Sequence, residues 1–269
     1  MELGQIGIWH SARRGGVDVV AEVEALGYGA FWLGGSPSVE QARAYVEASS
    51  TIPVATGILN VWQHDPADVA RAHAALTRDH PDRFLLGIGI GHPEATSDYT
   101  RPLATMREFL DGLAGVPREQ LAIAALGPKM LDLAGERTRG THPYFVDVQH
   151  TRFARERLGP GPLVAPEVAV VLEADVSTAR RIAREYAVTY LRMSNYTRNL
   201  ERFGYTERDF ADGGSDRLID AVIPHGSPER VADAIRAHLA AGADHVCVQP
   251  LGHGDVPLED FRTLAGVLL

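Results

Sequence analysis

The chain has 269 residues, 45% hydrophobic and 23% charged, with a formal net charge of −9 at pH 7. That balance suits a globular protein with a sizeable core, and its negative field repels phosphate backbones and anionic lipid, which excludes nucleic acid and membrane surfaces as expected partners. No apolar run reaches the ~20 residues that span a bilayer, the first fourteen residues lack the basic-then-apolar order of a signal peptide, and Cys247 is the only cysteine, so no internal disulfide forms and a reducing, cytoplasmic setting is expected.

Short apolar runs alternate with amphipathic stretches along the chain. The run 6–9 reads as a first strand, and 17–26 has apolar residues at helical spacing and stops at Gly27, a helix-ending residue. A strand is expected over 30–33, a helix over 39–49 and a third strand over 52–59. Asp65-Pro66 then opens a helix through 78, with aspartate as cap and proline at the first helical position. A fourth strand falls at 84–90, a helix at 103–113, a fifth strand at 121–125 and a helix at 128–134. Strands follow at 141–146 and 167–172, then a helix over 177–191. Residues 194–223 read as an irregular, partly helical insertion. A helix over 228–241, an eighth strand over 245–249 and a helix over 258–268 close the chain. Eight strands, most of them followed by a helix, predict an α/β fold, a (β/α)8 TIM barrel, built as a single domain over 1–269.

In such a barrel the active site sits at the carboxyl ends of the strands. The residues expected there include His10, 34–36, 60–64, 89–92, 126–129, 142–144, Glu173 and 249–253. They are rich in histidine, glycine and aromatics and poor in carboxylates. Gly87-Ile88-Gly89-Ile90-Gly91 ends the fourth strand. It reads either as tight packing or as a bare stripe against which a flat ring could lie. Leu126-Gly127-Pro128-Lys129 joins a strand to a helix. It is either an ordinary turn or a phosphate site made by free helix amides and Lys129, the only lysine. Gly57 marks a kink or bulge in the third strand. The eleven histidines show no metal-ligand spacing, so no metal is expected. A barrel-strand lysine for Schiff-base chemistry and a nucleophile elbow are also missing.

Several segments together resemble the bacterial-luciferase-like family of flavin and deazaflavin oxidoreductases. The densest is 52–92, IPVATGILNVWQHDPADVARAHAALTRDHPDRFLLGIGIGH; others are 102–113, 124–140, 190–210 and 226–251. They come in the family's order, and the likeness is nearest to members that use coenzyme F420. The resemblance implies a barrel with an insertion after strand seven, and a non-proline cis peptide at Gly57-Ile58 that backs the cofactor ring. It implies ring and phosphate contacts from Asn60, Gly89, Gly91, Leu126, Gly127 and Pro128, with Lys129, Met130, His142, Pro143 and Tyr144 beside them. Its sugar-phosphate dehydrogenases carry an Asp-His after strand two and a Glu after strand four. Here those places read Gly34-Gly35-Ser36 and Gly91-His92, which argues against glucose-6-phosphate as substrate. His10 and His92 become the acid–base candidates, since histidine titrates near physiological pH. The implied activity is hydride transfer between F420 and a small organic substrate. An FMN-dependent monooxygenase or a cofactor-binding protein without catalysis are the alternatives. Relatives are often homodimers, which outer helices rich in alanine and valine permit.

Overall fold

The computed structural model describes residues 1–97, 99–252 and 254–269. Its elements run β1 (Ile6–Ser11), α1 (Val19–Ala25), β2 (Phe31–Gly34), α2 (Val39–Glu47), β3 (Val54–Thr56), β4 (Leu59–Asn60), α3 (Pro66–Asp79), β5 (Phe84–Gly89), α4 (Pro102–Gly112), β6 (Leu121–Ile123), α5 (Pro128–Arg137) and β7 (Gly140–Thr141). They continue α6 (Val148–Leu158), β8 (Leu163–Val164), β9 (Glu167–Val170), α7 (Val176–Tyr190), α8 (Ser194–Glu201), α9 (Glu207–Phe210), α10 (Asp216–Val222), α11 (Pro228–Ala240), β10 (Val246–Pro250) and α12 (Leu258–Leu268). Among the described residues, no helix is long and apolar enough to cross a membrane.

All strand pairs are parallel, in the order β8-β7-β6-β5-β3-β2-β1-β10-β9, with β4 also on β5. The two ends of that order, β8 and β9, are consecutive in the chain and separated only by Ala165 and Pro166. Ala165 N–H donates to the Thr141 carbonyl at 2.9 Å, while the Pro166 carbonyl accepts from Cys247 N–H at 2.9 Å. One stretch of chain therefore bonds to β7 on one side and to β10 on the other, and the sheet curls until its ends meet there.

Alternation along the strands splits the core in two. Ile8, Leu33, Val54, Leu86 and Ile123 face outward to the helices and share the main cluster with Val20, Val46, Leu76 and Leu264. Trp9, Trp32, Ala55, Leu85, Ala122, Ala165 and Cys247 form a second cluster inside the curl. Two large indoles among small residues fill that space, as interdigitating layers do. A third cluster joins β9 to α7, α8 and α10 through Ala179, Ala183, Leu200, Leu218 and Ile219.

Local chemistry starts the helices. Asp65 accepts from the Ala67 and Asp68 amides with Pro66 at the first position, and Ser38 forms a reciprocal box with Gln41. Three expectations need correction. The third strand is broken in two at Gly57-Ile58, and the expected strand over 141–146 pairs only at Gly140 and Thr141. Phe145 adopts a left-handed φ of 55°, which a continuing strand does not allow. Residues 194–222 are more helical than expected: α8, α9 and α10 lie there, joined by short turns.

Candidate functional site

A cavity of about 1010 Å³ opens at the carboxyl ends of the strands. At its centre a cis peptide joins Gly57 to Ile58. Trp9, from β1, donates its indole N–H to the Gly57 carbonyl at 3.1 Å. A side chain on Gly57 would meet that indole nitrogen at 2.8 Å and His142 Nε2 at 3.0 Å, so only glycine fits. His142 donates from Nδ1 to the Ala165 carbonyl at 2.7 Å and stacks on Trp32 at 4.1 Å. That leaves Nε2 as a bare acceptor with no hydrogen-bond partner among the described residues. Burial pushes the imidazole pKa down to about 4, so the ring stays neutral.

The glycine stripe on β5 is not open. A Cβ on Gly89 would lie 2.6 Å from the Ile58 side chain, and one on Gly87 would lie 2.0 Å from the Thr56 carbonyl. The missing side chains let the bulged neighbour strand press in. Ile58 and Gly89 both line this part of the cavity. Gly91 has φ 64° and packs on the Asn60 amide, whose oxygen accepts from Trp62 N–H at 3.1 Å.

Across the cavity, Leu126 to Met130 line the wall where α5 begins. The Leu126 carbonyl accepts from His150 Nε2 at 3.0 Å, which steadies the turn. A Cβ on Gly127 would meet nothing within 4 Å, so the space over the helix N-terminus is free. Pro143 does not line the cavity; its carbonyl accepts from Glu167 N–H at 2.8 Å. Tyr144 does line it, and its hydroxyl meets those of Tyr186 at 2.6 Å and Tyr190 at 3.2 Å, and donates to Gln249 Oε1 at 2.9 Å.

The two candidate acid–base histidines differ in setting. His10 packs against Phe31 and Phe261, both at 6.3 Å, and its Nε2 donates to the Arg14 carbonyl at 2.7 Å. It faces the helix layer as much as the cavity. His92 lies 4.7 Å from the Tyr196 ring, and the Asn195 amide sits 3.4 Å from its Nδ1. That amide also reaches the Gly91 carbonyl and the Tyr99 hydroxyl, each at 3.2 Å. Burial lowers both histidine pKa values, which leaves neutral rings near neutral pH. Beneath the tyrosines lies Glu167, 1% exposed, with one oxygen unpartnered and the other accepting from Phe145 N–H at 3.3 Å. Burial pushes its pKa up to about 8. Its carboxyl is therefore protonated at neutral pH. Among the described residues no cluster of His, Cys, Asp and Glu could hold a metal ion.

The wall also carries residues that sequence reading passed over. Arg13, Arg14, Arg198 and Arg202 line it together with Lys129, and no Asp or Glu lines it among the described residues. In a chain of charge −9 this is a local reversal of sign. Trp9, Tyr186, Tyr190, Asn195 and Tyr196 also line the wall. Tyr186 with Tyr190, and Arg198 with Arg202, stand four residues apart on helical stretches, a spacing that puts each pair on one face and was available to find them. Glu173 does not line the cavity, and His253 lies outside the described residues.

Residues 8–120 match the luciferase-like monooxygenase family. Solved structures share the fold over nearly the whole chain. A coenzyme F420-dependent tetrahydromethanopterin reductase from Methanopyrus kandleri superposes with TM-score 0.78 at 18% identity, covering 98% of both chains. An F420-dependent secondary alcohol dehydrogenase, solved with an F420–acetone adduct, gives 0.76 at 14% identity, also covering 98% of both. The oxygenating constituent of 3,6-diketocamphane monooxygenase from Pseudomonas putida, a type II Baeyer–Villiger enzyme in complex with FMN, gives 0.68 at 18%, covering 98% of this chain and 96% of that one. The family model matches residues 8–120, and the solved structures share the fold beyond it.

Proposed function

We propose that the chain is an oxidoreductase that binds the deazaflavin coenzyme F420 and exchanges a hydride between it and a small organic substrate. The observation that carries this reading is the charge of the cavity wall: five cationic side chains and, among the described residues, no carboxylate. An anionic ligand gains from such a wall, and a focused field also raises its rate of arrival. Both F420 and FMN bear a phosphate. F420 adds the carboxylates of its glutamate tail, so a wall carrying five cations favours the longer and more anionic molecule. The residues fit the group. The free space over Gly127 and the first turn of α5 suits a phosphate, the cavity volume suits a cofactor with its substrate, and the Gly57-Ile58 bulge held by Trp9 suits a flat ring.

When bound, F420 supplies a hydride from its C5 carbon. The protein's own share is to orient that ring against Ile58, to keep water out with the aromatic wall, and to handle a proton. His92 is the histidine we assign to the proton, as a neutral acceptor facing the cavity; His10 is already committed to Arg14. We read β3 with β4, and β8 with β9, as two interrupted strands. The sheet then counts eight strands and closes as a (β/α)8 barrel, with 194–223 as its insertion and the whole chain as one domain. Separate titrations of the purified protein with F420 and with FMN, followed by fluorescence, test the reading. Micromolar or tighter F420 binding that weakens with salt is expected. FMN binding without F420 binding would favour an oxygenase and overturn the proposal.

A further inference from the structure

We infer that the hydroxyls of Tyr144, Tyr186 and Tyr190, gathered on Gln249, form an oxygen-binding subsite in which Tyr190 gives its proton to a carbonyl, so that the substrates are ketones and aldehydes reduced to alcohols. This inference rests on the F420 reading above, which supplies the reductant, and deepens it by naming the substrate class.

The geometry assigns the protons. Gln249 Oε1 is an acceptor only and takes the Tyr144 proton at 2.9 Å. The Tyr144 oxygen then accepts from Tyr186, 2.6 Å away, and Tyr186 also lies 3.3 Å from Gln249 Oε1. Those two phenols are occupied with each other and with the amide. Tyr190 joins the cluster at its edge, 3.2 Å from Tyr144, and both its ring and Gln249 line the cavity. Its ring is held by stacking on Phe145 at 5.0 Å and by an edge contact with Tyr196 at 5.4 Å. His92 packs on the same Tyr196 ring at 4.7 Å, so the histidine and Tyr190 flank one part of the cavity.

The surroundings shift the two in opposite directions. Burial raises the Tyr190 pKa, while hydrogen bonds from Tyr144 and Tyr186 pull it back; burial lowers that of His92. Both groups are therefore held neutral, and the phenol keeps its O–H at the edge of the cluster. Paired groups driven apart in this way mark an acid and a base. Glu167 lies below, and its protonated carboxyl leaves the tyrosines free of an adjacent negative charge.

The step balances. A hydride from the reduced deazaflavin forms the new C–H bond at the carbonyl carbon, and the C=O π pair moves onto oxygen. That oxygen takes the Tyr190 proton, and the Tyr190 O–H bond breaks. Tyr144 then passes its proton to the Tyr190 oxygen and Tyr186 passes its own to Tyr144, which spreads the charge until solvent returns one proton. The carbonyl is reduced and the deazaflavin oxidised.

The test uses cyclohexanone labelled with carbon-13 at its carbonyl, bound to the full-length protein with and without oxidised F420, where no turnover occurs. Isotope-edited infrared spectra should show the carbonyl band at lower frequency in the wild type than in Tyr190→Phe. With reduced F420, Tyr190→Phe should lose about 10²- to 10⁴-fold in kcat, the usual range for a general acid, with a smaller change in KM. F420 affinity should stay within about 2-fold, which also shows that the variant is folded. Identical band positions in the two proteins, or no binding of cyclohexanone to the wild type, would overturn the subsite. Loss of F420 binding by the wild type would instead overturn the parent reading, since the band is also read without cofactor.

Discussion

Individual residues inside the curl hold chemistry that their neighbours enforce. Glu167 sits among Cys247 and the tyrosines with one unpartnered oxygen, so its charge is opposed by burial. Its folded pKa is raised to about 8 from the ordinary 4.5 of a glutamate. A carboxyl raised in this way contributes its full stability below the unfolded value, and that stability is lost as pH rises through the folded value. Glu167→Gln keeps the shape without the charge. We expect it to match the wild type in denaturant midpoint near pH 4. It should gain on the wild type between pH 5 and 8, by on the order of 4 kcal/mol at the upper end. A variant that instead loses stability toward pH 8 would mean that the carboxylate is charged and paired. Gly89 makes a related point about single atoms: the hydrogen in place of a side chain is what admits Ile58 beside it in the cavity wall.

At the scale of elements, charge holds the helices beyond β9 in place. Arg180 on α7 bonds Asp216 at 2.6 Å and Asp220 at 2.6 Å on α10, and Arg184 adds a second link to Asp216 and donates to the Gly214 carbonyl at 2.9 Å. These groups are partly exposed, so the pairs contribute modestly and are screened by salt. Arg180→Ala is expected to lower stability only slightly, seen as a small fall in denaturant midpoint. Amide hydrogen exchange should quicken over 207–222 while the strand amides stay protected. Equal quickening in β1 and β5 would show that the helical unit and the sheet open together. The distinction matters because α7 and α8 carry Tyr186, Tyr190, Asn195 and Arg198 to the cavity, and loosening them should disturb the site before the core.

Over the whole molecule, the charge distribution and the curl act together. A chain of net charge −9 repels anions at long range, yet the mouth of its cavity is cationic. An anionic cofactor must cross one field to reach the other, which makes association depend strongly on ionic strength. Reversing both Arg198 and Arg202 to glutamate should slow F420 association by about 10-fold at low salt. The gap should close as the Debye length falls below ~5 Å. A stopped-flow series over ionic strength reads this; a gap unchanged by salt would assign the two arginines to shape rather than charge.

Much of this was legible in the amino-acid order itself. Hydrophobic period, caps and turn residues are local, and they placed β1, α3, β5, α11 and α12 close to their observed bounds. The helix α6 escaped because its buried face is His150, Thr151 and Ala154, which carries no aliphatic stripe to read. Resemblance, not periodicity, pointed to Gly57-Ile58. What only the tertiary structure decided is which side chains converge. Tyr144 from the loop after β7, Tyr186 and Tyr190 from α7, and Gln249 from β10 meet because the sheet curls and α7 folds back across its rim. Ile58 fills the stripe of Gly89 for the same reason. Such contacts depend on the closure of the sheet and on the direction each side chain takes from it, and neither quantity is written in any short stretch of sequence.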